Sequence, residues 1–396
     1  MEITLQTKLT LCPLNIQLDQ KNYIVEDVAS GEFYEMPQIC VDAIQLMEKG
    51  LSLGEIEEKL KTTYQEEEVD ILDFANQLIE LDLVKEIDGE IIHKNRHIEK
   101  KEGFLWISPK VGQFFFNRFM LNGYGVLLIL NVFLFIFQPH LFPSYKDFFV
   151  FDVMNLNILV WLMITFCTVI IHEFGHVLAA RGYDLPTKMG IGHRLFFVVF
   201  ETDLSKAWSL RKNQRYVLYL AGMCFDQVIL FCVLIAQLFF PNEKILAVIV
   251  LDIFIRTLFQ FCFYMKTDLY YVVENWSGCY NLMENGKQWL SKWLPIMKQV
   301  EKTEIFKEEE KMVKLYALFY ITGVTITCTL FIFYYIPQMI FTLKKTIPHL
   351  FLFNNSIYFW DALLIVMQLL IFISLLFYSL VKKRKEISQT NIVHEK

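Results

Sequence analysis

Cysteine pairing, a secretory leader and an excess of positive charge are all missing from this sequence, and each absence narrows the reading. The eight cysteines stand at positions 12, 40, 167, 224, 232, 262, 279 and 328, with no C-x-x-C or other ligand spacing among them. Several fall inside apolar runs, where a thiol behaves as a small hydrophobe, so neither a cysteine metal knuckle nor a disulfide framework is expected. No apolar h-region interrupts the first hundred residues, which excludes a signal peptide from the reading and leaves the N-terminal part expected in the cytoplasm. The formal net charge of −6 gives no reason to expect a nucleic-acid partner. Internal repeats and low-complexity tracts are absent as well. Apolar residues make up 55% of the 396, with 37 Phe, and this marks an integral membrane protein with room for one extra soluble domain.

One short stretch carries chemistry: His172-Glu173-Phe174-Gly175-His176, near one end of a long apolar run. On a helix, residues four apart share a face. His172 and His176 can therefore hold one Zn²⁺ while Glu173 projects beside it as general base for a water on the metal. The alternative is two buried core histidines. Burial without a partner is costly, roughly +2.5 to +3.5 kcal/mol for one acidic side chain at the centre of a membrane helix, and this favours the metal.

Residues 1–95 read as a soluble α+β domain with a winged-helix-like order of elements. Alternation in Leu14–Leu18 and Asn22–Val25 predicts short strands, and Ser30-Gly31 a turn before Phe33–Met36. Helices are predicted over 39–48, from Ser52 as N-cap with Glu55 completing a capping box to about Thr63, and over 69–81. A last strand follows at 83–87. A DNA-binding role is excluded by charge, because Glu55, Glu57, Glu58, Glu66, Glu67, Glu68 and Asp70 crowd the helices that would face phosphates. The segments Tyr23–Asp27 with Ser30–Tyr34, Gly50–Ile56 and Leu78–Val84 resemble PqqD-like domains. That resemblance implies capture of the leader of a ribosomally made peptide, as a strand added at a sheet edge.

Residues 96–120 are a polar connector, with His93 and His97 just before and inside it read as solvated surface groups. Six apolar runs follow at about 121–138, 156–180, 216–240, 245–265, 315–336 and 357–381, each near the ~20 residues of a bilayer-spanning helix. Arg181, Lys188, Arg194, Lys206, Arg211, Lys212 and Arg215 fill the connection after the second run, and Lys382–Lys385 open a basic tail over 382–396. The positive-inside rule then puts both termini in the cytoplasm, against the lone exception of Lys344-Lys345. The architecture expected is mainly α: about six transmembrane helices over 121–381, plus the N-terminal domain.

A catalytic zinc takes three protein ligands and keeps an open position. Two carboxylates are candidates for the third, Asp226 inside the third run and Asp268 at the end of the fourth. Asp226 can alternatively orient a histidine from behind. Asp252 and Arg256, four apart, read as an internal ion pair, and His193 as an interfacial side chain. The stretch 191–202 is too short to span as a helix and rich in β-formers. It is expected as a re-entrant or interfacial hairpin beside the metal, with an amphipathic surface loop as the alternative. Trp276, Trp289 and Trp293 read as headgroup anchors, and the last two runs, with Asp361 near an outer end, as packing helices.

Taken in order, His172–His176, Gly190–Gly192 through Asp203–Trp208, Ala221-Gly222 and Asp268–Tyr271 with Asn281-Leu282 resemble the site-2 protease class of intramembrane zinc metallopeptidases. The likeness is closer to its bacterial peptide zinc metalloprotease branch, with the core over 155–285. This resemblance implies that Asp268 is the third ligand. The chain departs from the pattern at Met223, Cys262-Phe263 and Leu269, where the family has Pro, Asn-Pro and Gly. The function expected is a membrane zinc endopeptidase that processes a modified precursor peptide before export, with a peptide exporter as candidate partner. Its rivals are a regulatory intramembrane protease of anchored signalling proteins and a non-catalytic peptide-binding transporter or immunity protein.

Overall fold

The computed structural model describes residues 3–19, 22–66, 68–92, 103–194, 197–279, 282–291, 310–351, 356–371 and 373–375. His93, His97, Asn281, Trp293 and the basic tail, each given a reading above, lie outside the described residues. The chain forms two compact units. One gathers Met1–Leu121, Glu173–Gly222 and Asp268–Ala317; the other gathers Asn122–His172, Met223–Thr267 and Leu318–Lys396.

The first unit begins with a small β-rich region. Strands β1 (Leu9–Leu11), β2 (Leu14–Asp19), β3 (Asn22–Asp27) and β4 (Phe33–Met36) precede helices α1 (Gln38–Glu48), α2 (Leu53–Thr63) and α3 (Ile71–Glu80), then β5 (Val84–Ile87) and β6 (Glu90–Ile91). The order β2-β3-β4 makes one antiparallel sheet, and β1-β5-β6 another. Asp88 and Gly89 turn the β5–β6 hairpin with positive φ of 48° and 86°, backbone that Asp and Gly tolerate best. The side chains behind the alternation and helical stripe, among them Val25, Ile44, Ile56, Ile71, Leu78 and Leu83, form one core. Glu55 accepts both the backbone N–H and the hydroxyl of Ser52, at 2.8 and 2.9 Å, so the start of α2 falls where the sequence puts it. Asp70 caps α3 through the N–H groups of Leu72 and Asp73.

Helix α4 (Pro109–Phe115) leads to α5 (Arg118–Phe137) and α6 (Met154–Gly182). Gly112 and Gly182 let α4 and α6 touch backbone to backbone: a Cβ on Gly112 would stand 2.1 Å from the Leu178 carbonyl oxygen. Strands β7 (Met189–Arg194) and β8 (Phe197–Thr202) pair antiparallel from Met189↔Thr202 to Arg194↔Phe197, so the stretch expected as a hairpin or a loop is a hairpin. Helix α7 (Lys212–Phe239) packs its small Ala221 with Ala179 and Ala180 of α6. Small side chains allow that close approach. Helix α8 (Lys244–Phe259), α9 (Asp268–Ser277) and α10 (Leu282–Ser291) follow. Helix α11 (Glu310–Leu330) continues through a π turn at Phe331–Tyr335 into α12 (Ile336–Leu350), and the last among the described residues is α13 (Ile357–Leu375).

Among the described residues, five helices are long and apolar enough to cross a membrane: α5, α6, α7, the continuous Lys311–Leu350 and α13. The fourth run of the sequence is the exception. Helix α8 ends at Phe259 after 16 residues, about 24 Å of rise against a ~30 Å hydrocarbon core. The rest of that run breaks into a 3₁₀ turn over Phe263–Met265, with Lys266 at φ 51°. Asp361, read from sequence as lying in a packing helix, also caps α6. Its carboxylate accepts the N–H groups of Met154 and Asn155, each at 2.8 Å, and so satisfies donors that the helix itself leaves open.

Candidate metal centre

His172, Glu173 and His176 all lie on α6, whose Met154–Gly182 span is apolar almost throughout. The two imidazoles are 5% and 2% exposed, far less than a lipid-facing or solvated position would give. Asp268, the first residue of α9, is buried with them. One ligand atom from each of His172, His176 and Asp268 lies within 4.8 Å of the others, the one such cluster of three among the described residues.

The contacts on the far side of each ring decide which nitrogen faces that cluster. His176 Nδ1 is 2.9 Å from the carbonyl oxygen of Leu218, which can only accept, so Nδ1 carries the proton. Nε2 of the same ring is then a lone-pair donor, and it stands 3.5 Å from Asp268 Oδ2. That distance is long for a charge-assisted hydrogen bond, about 2.7–2.9 Å. It matches the ~3.3 Å that separates two ligands on a tetrahedral ion with arms of about 2.0–2.1 Å. His172 is set the same way: Nδ1 donates to Asp226 Oδ2 at 2.8 Å. Donor set and geometry both fit a divalent ion of intermediate softness.

Asp226, the alternative ligand of the sequence reading, thus stands behind His172, outside the cluster of three. Its other oxygen accepts Arg256 Nη2 at 2.8 Å. Arg256 Nε lies 3.3 Å from Asp252, whose carboxylate also takes the hydroxyls of Thr165 and Thr168 at 2.5 and 2.8 Å. The Asp252–Arg256 pair exists as the i,i+4 spacing suggests, and it extends to Asp226. Two carboxylates and one guanidinium in an apolar setting form one connected network of opposite charges, in which Arg256 Nε meets Asp252 as an ion pair without a hydrogen bond.

Glu173 is fixed by a residue that no motif singles out. Thr202, at the end of β8, donates its N–H and its hydroxyl to Glu173 Oε2, both at 2.8 Å. Glu173, His176 and Asp268 share the wall of a cavity of about 490 Å³ with Thr202, Glu201 and Trp208. Two features escaped sequence reading for physical reasons. The Leu218 carbonyl has no side-chain identity, and Thr202 reaches Glu173 only because a hairpin folds back on α6. Comparison of the chain with family models, curated proteins and solved structures finds no match.

Proposed function

We propose that this chain is a membrane-embedded zinc endopeptidase that cuts a peptide held by its N-terminal domain. The observation that carries the reading is the pairing of a buried two-histidine, one-aspartate cluster with a carboxylate on the adjacent residue of the same helix. A two-histidine, one-carboxylate set also suits non-haem iron. Glu173 on the cavity wall beside the cluster supplies the proton acceptor that hydrolysis needs and oxygen chemistry does not, which favours zinc.

Zn²⁺, when bound, supplies Lewis acidity toward water and a peptide carbonyl at the cavity wall. His172 and His176 hold it through Nε2, and Asp268 through a carboxylate oxygen, with Asp226 and the Leu218 carbonyl fixing both rings. Glu173 takes the water proton at Oε1, because Thr202 engages Oε2. The water oxygen bonds to the peptide carbonyl carbon, and as the C–N bond breaks the same carboxyl returns the proton to the departing amine. The hairpin β7–β8 forms one side of the cavity through Gly190, Ile191, Glu201 and Thr202. A ribosomally made precursor whose leader docks on residues 1–95 is the substrate we assign. We place both termini on the cytoplasmic side of the cell membrane, which needs an even number of crossings: the five long helices and α8, whose 16 residues cross where the bilayer thins to meet them.

The test is mass spectrometry of candidate precursor peptides incubated with wild-type and Glu173→Ala protein in lipid. Cleavage by the wild type alone is expected. Processing that continues in the variant removes the protease reading and leaves a peptide-binding membrane protein.

A further inference from the structure

We infer that the N-terminal domain is a structural part of the metal centre, because the buried Asp19–Arg215 ion pair makes those two residues positioning groups for the metal-bearing elements. The inference rests on the metal centre proposed above, and it goes beyond substrate capture.

Arg215 lies in the first turn of α7 and is 0% exposed. Four features hold its guanidinium. Nη2 forms an ion pair at 2.8 Å with Asp19 Oδ2, the last residue of β2, which is itself buried. Nη1 donates to Asn275 Oδ1 at 3.3 Å, and Nε donates to the Leu210 carbonyl at 2.9 Å. The plane sits over the Trp208 ring, 4.8 Å from its centroid. Two of these partners, and the helix that carries Arg215, lead to the site. Trp208 lines the cavity. Asn275 belongs to α9, the helix that opens with Asp268, and its amide also donates to the Lys212 carbonyl at 3.0 Å. Leu218, one turn along α7 from Arg215, supplies the carbonyl that orients His176.

Two further contacts fasten the same rim to the same domain. Gln17 of β2 donates to the Trp208 carbonyl at 2.7 Å, and Lys206 donates to the Gly31 carbonyl at 2.9 Å while lying over Phe33. A module that only fetched substrate would need a loose tether and solvated contacts. Here a fully desolvated guanidinium is balanced by a carboxylate from residue 19. Removing that carboxylate leaves a buried charge that must move toward water. Moving it withdraws the stack from Trp208 and the hydrogen bond from Asn275, so α7 and α9 lose the register that brings His176 and Asp268 to one ion.

The experiment uses the full-length protein in lipid, with Zn²⁺ and Co²⁺ alone as probes. Zinc affinity is read by chelator competition and the Co²⁺ ligand field by visible absorption, for wild type, Asp19→Asn and Asp19→Glu. A protease site placed within 93–102 gives a second arm, in which the folded chain is cut and retention of the N-terminal fragment is measured. Asp19→Asn is expected to weaken zinc binding about tenfold, the low end of what losing a ligand's direct partner costs, because it acts through Arg215, and to alter the Co²⁺ spectrum and release the cut fragment. Asp19→Glu is expected to recover part of each. Wild-type zinc affinity and spectrum in Asp19→Asn overturn the inference, as does a wild-type fragment that leaves after cutting without change at the metal. A wild-type chain that binds no metal instead removes the function proposed above, and is distinguished by its unmetallated starting point.

Discussion

The imidazole of His176 and the main chain at Leu218 stand 2.9 Å apart, Nδ1 to carbonyl oxygen, and this contact fixes the tautomer that turns Nε2 toward Asp268. A side-chain partner could ionise or rotate away. A helical carbonyl of α7 can do neither, so the ligand's orientation is built into the approach of two helices.

Asp268→Ala is expected to abolish stoichiometric zinc, whereas Asp226→Ala is expected to keep zinc with affinity lowered about 10–100-fold, the usual effect of removing the carboxylate behind a ligating histidine. Metal content of the purified variants, followed by chelator competition, separates the two. Full zinc occupancy in Asp268→Ala would contradict the assignment.

Thr202→Val removes one of the two donors that hold Glu173 Oε2 and keeps the backbone N–H. Turnover is expected to fall about tenfold, in line with roughly 1.5 kcal/mol for a hydrogen bond to a charged group, with zinc content unchanged. Unaltered turnover on a cleaved peptide would show that Glu173 needs no such anchor.

At Gly112 an added methyl would sit 2.1 Å from the Leu178 oxygen and 2.4 Å from the Gly182 nitrogen, both rigid helical backbone. Gly112→Ala is therefore expected to destabilise the protein by about 1–3 kcal/mol, the range for overpacking. Thermal unfolding in detergent measures it, and Gly123→Ala, where nothing lies within 4 Å, is the control expected to leave the melting temperature in place.

The hydrogen bond from the Ser52 N–H holds the Glu55 carboxyl below its ordinary range, with the Ser52 hydroxyl adding to it. A lowered folded-state value means that the stabilisation is complete above the unfolded value, about 4.3, and is lost as pH falls through the lower folded value. Wild type is thus expected to exceed Glu55→Gln in protection of the first turn of α2 at pH 7, and the difference to fade as pH falls below the unfolded value and through the lower folded one. Hydrogen exchange at that turn is the readout; a difference that persists at the lowest pH would contradict it.

Sequence by itself determined whatever follows from neighbours along the chain: the alternation of β2 and β3, the Ser52–Glu55 cap, the shared face of His172 and His176 and the spacing of Asp252 and Arg256. These depend on periods of two and 3.6 residues and on side chains within four positions. Reading by hydropathy overextended the fourth apolar run, because the apolar character continues through 260–265 while the backbone turns at Lys266. Tertiary structure decided the rest. It set Asp226 behind a histidine, brought Asp268 to the cluster, put Thr202 on Glu173 and buried Arg215 against Asp19. Those partners lie 29 to 196 positions apart in the chain, and no local period reports which distant carboxylate, hydroxyl or carbonyl a buried polar group will meet.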